Sequence, residues 1–174
     1  YAEWTLPLAA ADSRGNRRYF TIASAPSEED IHLGIRVNKD GSSYKKALLA
    51  MNLGDPIAIS QISGDFTLPE DKNKKLVFIA GGIGVTPFRS MIASDSTRDI
   101  VLFYLAMNPK AFAYKDILEK VNTVYADKVS PEQLAEYKDR TFYISGPNMM
   151  VDVYKKMLKE MGVKEIITDY FPGY

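Results

Sequence analysis

The pattern of apolar and polar residues changes near residue 70 of the chain. Before that point, short runs rich in β-branched and aromatic residues, such as RRYFTIAS and IHLGIRV, are separated by turn-forming segments. In IHLGIRV every second residue is a large aliphatic one, which is the period of a half-buried strand. The first part of the chain therefore predicts an antiparallel β domain, with residues 31–37 as one of its strands.

After the polar segment PEDKNKK, apolar runs alternate with helical patterns. The runs are LVFIA, DIVLFYLA, TFYIS and KEIITDYF, and the helical patterns include PFRSMIAS and KDILEKV. Strands that alternate with helices predict a parallel sheet, here of about five strands with the short run TVYA among them. The whole chain predicts two domains. An antiparallel β domain covers residues 1–70, and a doubly wound parallel α/β sheet covers residues 71–174.

Local signals mark several helix ends in the second part. Ser130, a following proline and Gln133 form a capping-box pattern at a helix start. Gly162 stands where a glycine commonly ends a helix. Between Gly146 and Gly162, apolar residues recur at helical spacing and predict a core-facing stripe. They are Met150, Val153, Met157 and Met161.

Composition narrows the function classes. The 174 residues include 22 basic and 22 acidic ones, so no bulk field favours a nucleic-acid partner. The absence of cysteine excludes disulfides, thiolate nucleophiles and cysteine-ligated clusters from this chain, and no metal site is predicted. The apolar stretch LVFIAGGIGVTPF is shorter than a membrane helix and contains glycine and proline, so no membrane span is expected.

The first residue, Tyr1, is not methionine, and no signal-peptide pattern follows it. This start is typical of a fragment of a longer protein. The expected location is the cytoplasm, with the soluble domain of a membrane-associated parent as an alternative.

Glycines follow the apolar strand in the segment FIAGGIGVTP. A strand that ends in glycines and opens a helix presents unpaired backbone N–H groups and the positive end of the helix dipole, which attract phosphate. A second joint of this kind is Ser145-Gly146-Pro147. Because ligands of open parallel sheets lie beyond the carboxyl ends of the strands, the two joints predict one elongated ligand.

The dinucleotide fingerprint GxGxxG is not complete, because Pro87 stands at its third glycine position. A tight strand-to-helix turn without a ligand therefore stays open as an alternative. The tip of the next strand reads LAMN, which offers neither an acid for a ribose hydroxyl nor an arginine for a 2′-phosphate. The pattern leaves NADH and NADPH undecided.

Five segments in order along the chain resemble the ferredoxin–NAD(P)H reductase superfamily of flavoprotein reductases. They are RRYFTIASAP, DGSSYKKAL, FIAGGIGVTPFRSM, YISGPNMM and DYFPGY. The resemblance implies a flavin-binding barrel before a nicotinamide-nucleotide domain. It also implies an NAD(P)H-dependent flavin oxidoreductase that uses FAD, with FMN as an alternative, and NADH or NADPH. Electrons would pass to an acceptor protein or domain.

The resemblance assigns the flavin side of the site to the first part of the chain. Arg18 would hold the flavin phosphate, the ring of Phe20 would pack on the isoalloxazine, and the Thr21 hydroxyl would hydrogen-bond near N5. Phe20 departs from the usual tyrosine, so a phenol hydrogen bond is lost. The residues predicted on this side are Arg18, Tyr19, Phe20, Thr21, Ile22, Arg36, Gly41, Ser42 and Ser43.

The nicotinamide side is assigned to the two glycine joints. The predicted residues are Gly81, Gly82, Gly84, Thr86, Pro87, Ser145, Gly146, Pro147 and Met149. Ser145 stands where many members of the family carry cysteine. Asp169, Tyr170, Phe171 and Tyr174 resemble the aromatic tail that covers the flavin in relatives. The resemblance makes Thr21, Ser145 and Phe171 the catalytic residues.

The chain departs most from the family pattern at its front, where about two barrel strands have no counterpart before the Arg18 motif. This predicts an exposed sheet edge and fewer walls around the flavin. Two further functions therefore remain as alternatives. One is a nicotinamide-nucleotide-binding or regulatory domain without turnover, and the other is the reductase domain of a larger membrane-bound electron-transfer protein.

Overall fold

The computed structural model describes residues 1–8, 10–37 and 41–171. A three-stranded antiparallel sheet, the front sheet, is formed by β1 (Ala2–Thr5), β2 (Arg17–Phe20) and β3 (Ala58–Ser60) in the order β2-β1-β3. In its register Trp4 pairs with Arg18, and β3 adds to the other side of β1. All three residues of β3 are exposed, as the expected open sheet edge requires.

A five-stranded parallel sheet, the rear sheet, has the order β6-β5-β4-β7-β8. Its strands are β4 (Leu76–Gly81), β5 (Ile100–Leu105), β6 (Asn122–Ala126), β7 (Thr141–Pro147) and β8 (Ile166–Phe171). The prediction of about five parallel strands, with TVYA as one, is confirmed. β4 is buried on both faces, which explains why its sequence is apolar without alternation.

Five α-helices accompany the sheets in the described residues. They are α1 (Ser43–Leu49), α2 (Thr86–Ser94), α3 (Lys115–Leu118), α4 (Pro131–Leu134) and α5 (Asn148–Glu160), with short 3₁₀ turns at Gly82–Val85, Pro109–Ala111 and Ala135–Tyr137. None of these helices is both long and apolar enough to cross a membrane.

Each face of the rear sheet has its own core. On one face Val77 and Ile79 of β4 pack among residues that include Leu158 of α5. On the other face Phe78 stacks on Phe88 of α2, with ring centroids 4.5 Å apart. The alternation along β4 therefore sends successive side chains into opposite cores.

The predicted Met stripe is only partly correct. Met150, Met157 and Met161 pack against the core as expected, whereas Val153 is 54% exposed. The deeper stripe of α5 consists of Val151, Tyr154 and Leu158, which are all buried. The capping box at Ser130 is confirmed, because its hydroxyl accepts from the Gln133 N–H and the Gln133 side chain accepts from the Ser130 N–H. Gly162 has a φ of +82°, as a helix-ending glycine should.

Two local predictions about element extent are wrong. Residues 31–37 form no regular strand, because only Leu33 pairs, in an isolated antiparallel bridge with Ile22. Ile31, expected on the buried face, is 58% exposed. The predicted helix KDILEKV is helical only over Lys115–Leu118. The boundary between two domains near residue 70 stays a prediction.

Candidate functional site

The two glycine joints meet at one edge of the rear sheet. β4 lies between β5 and β7, so the winding of the sheet reverses between β4 and β7, whose carboxyl ends carry the joints. Gly146 packs against the backbone of Gly81: a Cβ built on Gly146 would lie 3.1 Å from the Gly81 Cα. The expectation that the two joints converge is confirmed.

A cleft of about 850 Å³ opens between this edge and the front sheet. The predicted site residues that line it are Arg18, Tyr19, Phe20, Thr21, Arg36, Gly41, Ser42, Gly81, Gly82, Pro147 and Phe171. The cleft thus brings together residues that are far apart in sequence and come from both parts of the chain. We call it the basic cleft, for the charges described below.

Arg18 lies at the front-sheet wall of the basic cleft and is only 9% exposed. Its Nη1 donates to the carbonyls of Arg14 (2.8 Å) and Gly15 (3.2 Å), and its guanidinium lies 5.1 Å from the ring centroid of Tyr44. Its Nη2 has no hydrogen-bond partner among the described residues, and Asp12 Oδ1 is 3.7 Å away. A buried guanidinium with a spare N–H group is suited to bind an anion.

Three further cations line the same wall: Arg14, Arg36 and Lys45. Lys45 Nζ donates to the Arg36 carbonyl at 2.9 Å. Burial, followed by the nearby arginines, lowers the pKa of Lys45, which is the direction expected where like charges crowd together. An anionic ligand would relieve this crowding.

The second predicted phosphate turn begins helix α1, which the sequence analysis did not foresee. Ser42 is the N-cap, and its Oγ accepts from the Lys45 N–H at 3.3 Å. Ser43 does not line the cleft, because its N–H donates to Asp12 Oδ2 and its Oγ accepts from the Asp12 N–H. Only Gly41 and Ser42 of this turn therefore face the cleft.

Aromatic side chains form another wall of the basic cleft. Phe20, Tyr170 and Phe171 line it together with Tyr19. The Tyr19 hydroxyl contacts Glu3 Oε2 at 3.0 Å, and this hydrogen bond is the main cause of a raised Tyr19 pKa. Flat aromatic faces in a cleft of this kind suit a flat heterocycle. Tyr174 lies outside the described residues.

The two glycines that follow β4, Gly82 and Gly84, have different surroundings. Gly82 has a φ of +53°, and no atom lies within 4 Å of a Cβ built there, so it is open to the cleft. A Cβ on Gly84 would lie 2.4 Å from the Ser145 carbonyl oxygen, so Gly84 serves close packing. Thr86 is fully buried and its Oγ1 donates to the Ile83 carbonyl at 3.0 Å. Neither Gly84 nor Thr86 lines the cleft.

The remaining predicted residues of the second joint also lie outside the cleft wall. Ser145 is fully buried, and its Oγ has no hydrogen-bond partner among the described residues. Gly146 faces Gly81 rather than the cleft, and Met149 is 81% exposed at the start of α5. Ser145 is nevertheless the register partner of Asp169, which does line the cleft.

A second cleft of about 970 Å³ shares Tyr1, Thr21 and Asp169 with the first, and Ile22 and Pro87 line this one instead. Among the described residues its wall carries four acids and no lysine or arginine; the acids are Glu28, Asp30, Asp65 and Asp169. Although it is the larger of the two, its charge disfavours a phosphate-bearing ligand. The charge of the basic cleft suits an anionic ligand better than that of the second cleft does.

Sequence reasoning missed Arg14 and Lys45 as wall residues, and it treated Asp169 only as part of a tail. Asp169 lies at the junction of the two clefts, and burial raises the pKa of its carboxyl. One signal for Lys45 was available, because it follows the capping serine by three residues and so lies in the first turn of α1. No local pattern marks Arg14.

Comparisons with known proteins agree with this architecture. Residues 78–145 match the family model of the oxidoreductase NAD-binding domain. A flavohemoprotein of Bacillus thuringiensis subsp. konkukian is 29% identical over 119 residues, which cover 63% of this chain and 30% of that protein. A component of the Na⁺-translocating NADH-quinone reductase of Neisseria gonorrhoeae is 26% identical over 202 residues, covering 90% of this chain and 49% of that protein.

The chain has the two-part fold of solved ferredoxin-NADP⁺ reductases and flavohemoglobins. Solved structures with the same fold include a ferredoxin-NADP⁺ reductase from Plasmodium falciparum, with a TM-score of 0.75 and 20% identity over 98% of this chain and 82% of that one. Another is a flavohemoglobin from Malassezia yamatoensis with bound FAD and heme, with a TM-score of 0.75 and 20% identity over 98% of this chain and 50% of that one. The chain spans between about a third and half of the length of the two curated relatives described above.

Proposed function

We propose that this chain is an NAD(P)H-dependent flavin oxidoreductase module that binds FAD and a nicotinamide dinucleotide in the basic cleft. The observation that carries the proposal is the buried Arg18 guanidinium with a free Nη2, placed across one cleft from the open Gly82 turn. One end of the cleft suits a flavin phosphate, and the other suits a dinucleotide pyrophosphate.

The residues present fit a flavin. Arg18, Arg36, Gly41 and Ser42 would hold its phosphates, and the aromatic faces of Phe20 and Phe171 would cover its ring. Thr21 lines both clefts, and its hydroxyl would hydrogen-bond at the reactive edge of the ring. In this proposal residues 1–70 carry the flavin and residues 71–174 the nicotinamide nucleotide.

The glycine turn and the second joint would hold the nicotinamide nucleotide. Gly81, Gly82 and Pro147 line the cleft directly, while Gly84, Thr86, Gly146 and Ser145 would fix the position of these backbone segments from behind. When bound, the two cofactors supply transfer of a hydride, which carries two electrons, from the reduced nicotinamide to the flavin. The contribution of the chain is orientation and exclusion of water rather than acid–base chemistry.

The electron acceptor is a protein or domain in this proposal. This chain matches only half or less of the length of several similar proteins, such as the flavohemoproteins and the quinone reductase component. This supports a role for the chain as the reductase part of a longer electron-transfer protein, and similarity to the quinone reductase component keeps a membrane-associated parent among the candidates.

An absorbance titration tests the proposal. Purified protein should take up FAD and shift its visible spectrum, and anaerobic NADH or NADPH should then bleach the visible flavin band. The preferred dinucleotide is the one that reduces the flavin at the lower concentration. Binding of dinucleotide without any flavin uptake would contradict the proposal and favour a nucleotide-binding domain without turnover.

A further inference from the structure

Arg89 is a buried residue that connects the first part of the chain to the second. It lies on α2, directly after the glycine turn, and is only 5% exposed. Its Nη1 and Nη2 donate to the two carboxylate oxygens of Glu28, and Nη1 also donates to the carbonyl of Ala23 at 3.2 Å. Glu28 in turn accepts from the Ala25 N–H. A bidentate arginine–carboxylate pair fixes both separation and angle.

Neighbouring residues also connect the two parts of the chain at this place. The Ser90 Oγ donates to the Ser24 carbonyl at 2.8 Å. A Cβ on Gly34 would lie 2.3 Å from Thr86 Cγ2 and 2.6 Å from the Tyr114 hydroxyl, so only glycine permits this close approach. The Arg89 guanidinium lies 5.9 Å from the Tyr114 ring centroid. The side chain of Arg89 is therefore enclosed by groups from both parts of the chain.

The residues that Arg89 joins are adjacent to both halves of the proposed reaction site. Ala23 follows Thr21 by two residues, and Arg89 follows the Gly82–Val85 turn by four residues along one helix. A short path of covalent links and one hydrogen bond therefore leads from Thr21 through Ala23 to Arg89, and from there along the helix to the glycine turn. A change in the Arg89–Glu28 geometry would therefore be transmitted to the position of the turn relative to Thr21.

We propose that Arg89 is a positioning residue, which sets the separation between the Thr21 edge of the cleft and the glycine turn through its pairing with Glu28 and Ala23. The inference rests on the proposed function, because it is this separation that would govern hydride transfer. Transfer between two bound rings requires the reacting atoms to be about 3–3.5 Å apart, and a misplacement of about 1 Å lowers such rates by about 100-fold.

The pair is formed over the whole neutral range. The hydrogen bonds from Arg89 are the main reason why the pKa of Glu28 is lowered to about 2. Glu28 is therefore ionised in the folded protein wherever flavin reduction would be assayed.

The main variants are Arg89→Met, which removes the positive charge, and Arg89→Lys, which keeps the charge but removes the planar guanidinium that makes the two parallel hydrogen bonds. Because loss of one partner leaves a buried charge alone, the double variant Arg89→Met/Glu28→Gln is included as a version that is expected to fold. The matched control is Arg98→Met. Arg98 is also a buried arginine paired with an aspartate, Asp95, but it donates to the Asp71 carbonyl, and no hydrogen bond or ion pair joins it to the described residues 23–34.

Rapid-mixing measurements separate binding from positioning. In both the single and the double Met variants, the limiting rate of flavin reduction should fall about 10- to 100-fold. The dissociation constants for flavin and dinucleotide should change by less than about 3-fold, since neither Arg89 nor Glu28 lines the basic cleft. Arg89→Lys should recover part of the rate, and Arg98→Met should match the wild type. A wild-type limiting rate in the double variant would overturn the inference.

A distance measurement tests the same inference without flavin. The chain has no native cysteine, so spin labels can be placed on Leu53→Cys in the front part and Lys156→Cys on α5. Both parent side chains are highly exposed. The label-to-label distance should be narrowly distributed in the wild type and in Arg98→Met, and shifted or broadened in Arg89→Met/Glu28→Gln.

The outcomes separate this inference from the proposed function. If the wild type binds no flavin, the proposed function fails. An unchanged label-to-label distance in the double variant would then also refute the positioning role of Arg89. If flavin reduction slows while the distance distribution stays that of the wild type, Arg89 does not act by positioning and the inference is wrong.

Discussion

Replacement of Arg18 gives the sharpest test of where an anion binds. The side chain is 9% exposed and its Nη2 makes no hydrogen bond among the described residues, so a phosphate that reaches this guanidinium would give Nη2 the hydrogen-bond acceptor that it lacks. A hydrogen bond to a charged group contributes about 1.5–3 kcal/mol. That range corresponds to about 10- to 150-fold in a dissociation constant.

Two substitutions separate the contribution of the Arg18 charge from that of its planar guanidinium. Arg18→Lys keeps the charge but loses the planar fork, so we expect FAD affinity to fall about 10-fold, towards the lower end of that range. Arg18→Met removes the charge, so a loss towards the upper end, about 100-fold, is expected. The assay is a titration of the flavin-free protein with FAD, followed by flavin absorbance and fluorescence.

The control comes from the neighbouring residue. Arg17 precedes Arg18 on β2 but points to the other side of the sheet, where its side chain is 65% exposed and lies 3.7 Å from Glu3. Arg17→Lys should leave FAD affinity unchanged. Because Arg18 also donates to the Arg14 and Gly15 carbonyls, unfolding curves must show that each variant is folded at the assay temperature. Equal FAD affinity in the wild type and Arg18→Met would refute the assignment of the phosphate to this side chain.

Further predictions concern stability. Burial raises the pKa of Asp169 above its ordinary 3.8, so ionisation destabilises the folded state; Asp169→Asn should raise the free energy of unfolding at pH 7, and the gain in urea melts should shrink as the pH falls towards 3.8. Gly82→Ala should cost about 1–2 kcal/mol through backbone strain alone and weaken dinucleotide binding. Gly84→Ala should cost more in the same melts, because its Cβ would meet the Ser145 carbonyl oxygen at 2.4 Å. Ser130→Ala should cost about 0.5–2 kcal/mol through loss of the helix cap, and no change would contradict its capping role.

The rear sheet was predictable because each of its signals is local. An uninterrupted apolar run such as β4 predicts a strand buried on both faces, and the capping box at Ser130 predicts a helix start. These signals need no knowledge of distant residues. The alternating segment 31–37 shows the limit of such signals, because a strand also needs a partner, and in the described structure only Leu33 finds one.

The electrostatic part of the site could not be predicted in the same way. Arg14, Lys45 and Arg89 are charged residues in ordinary surroundings in the sequence, and their roles depend on which distant groups the fold brings near them. Ser43 illustrates the reverse case. It belongs to a segment that resembles a phosphate turn, yet Asp12, 31 residues earlier, occupies both its N–H and its hydroxyl. Long-range pairing decides which polar groups stay free for a ligand.

The glycine run after β4 combines two requirements that the sequence does not separate. Gly81 and Gly84 are needed for packing, since a Cβ on either would lie within 2.4 Å of Met150 Sδ or the Ser145 carbonyl oxygen. These contacts let the ends of β4 and β7 come together, which is what places both joints at one edge. Of these three glycines, only Gly82 has open space where a side chain would lie. The glycines thus first build the edge of the sheet, and only one of them leaves the space that a bound pyrophosphate would need.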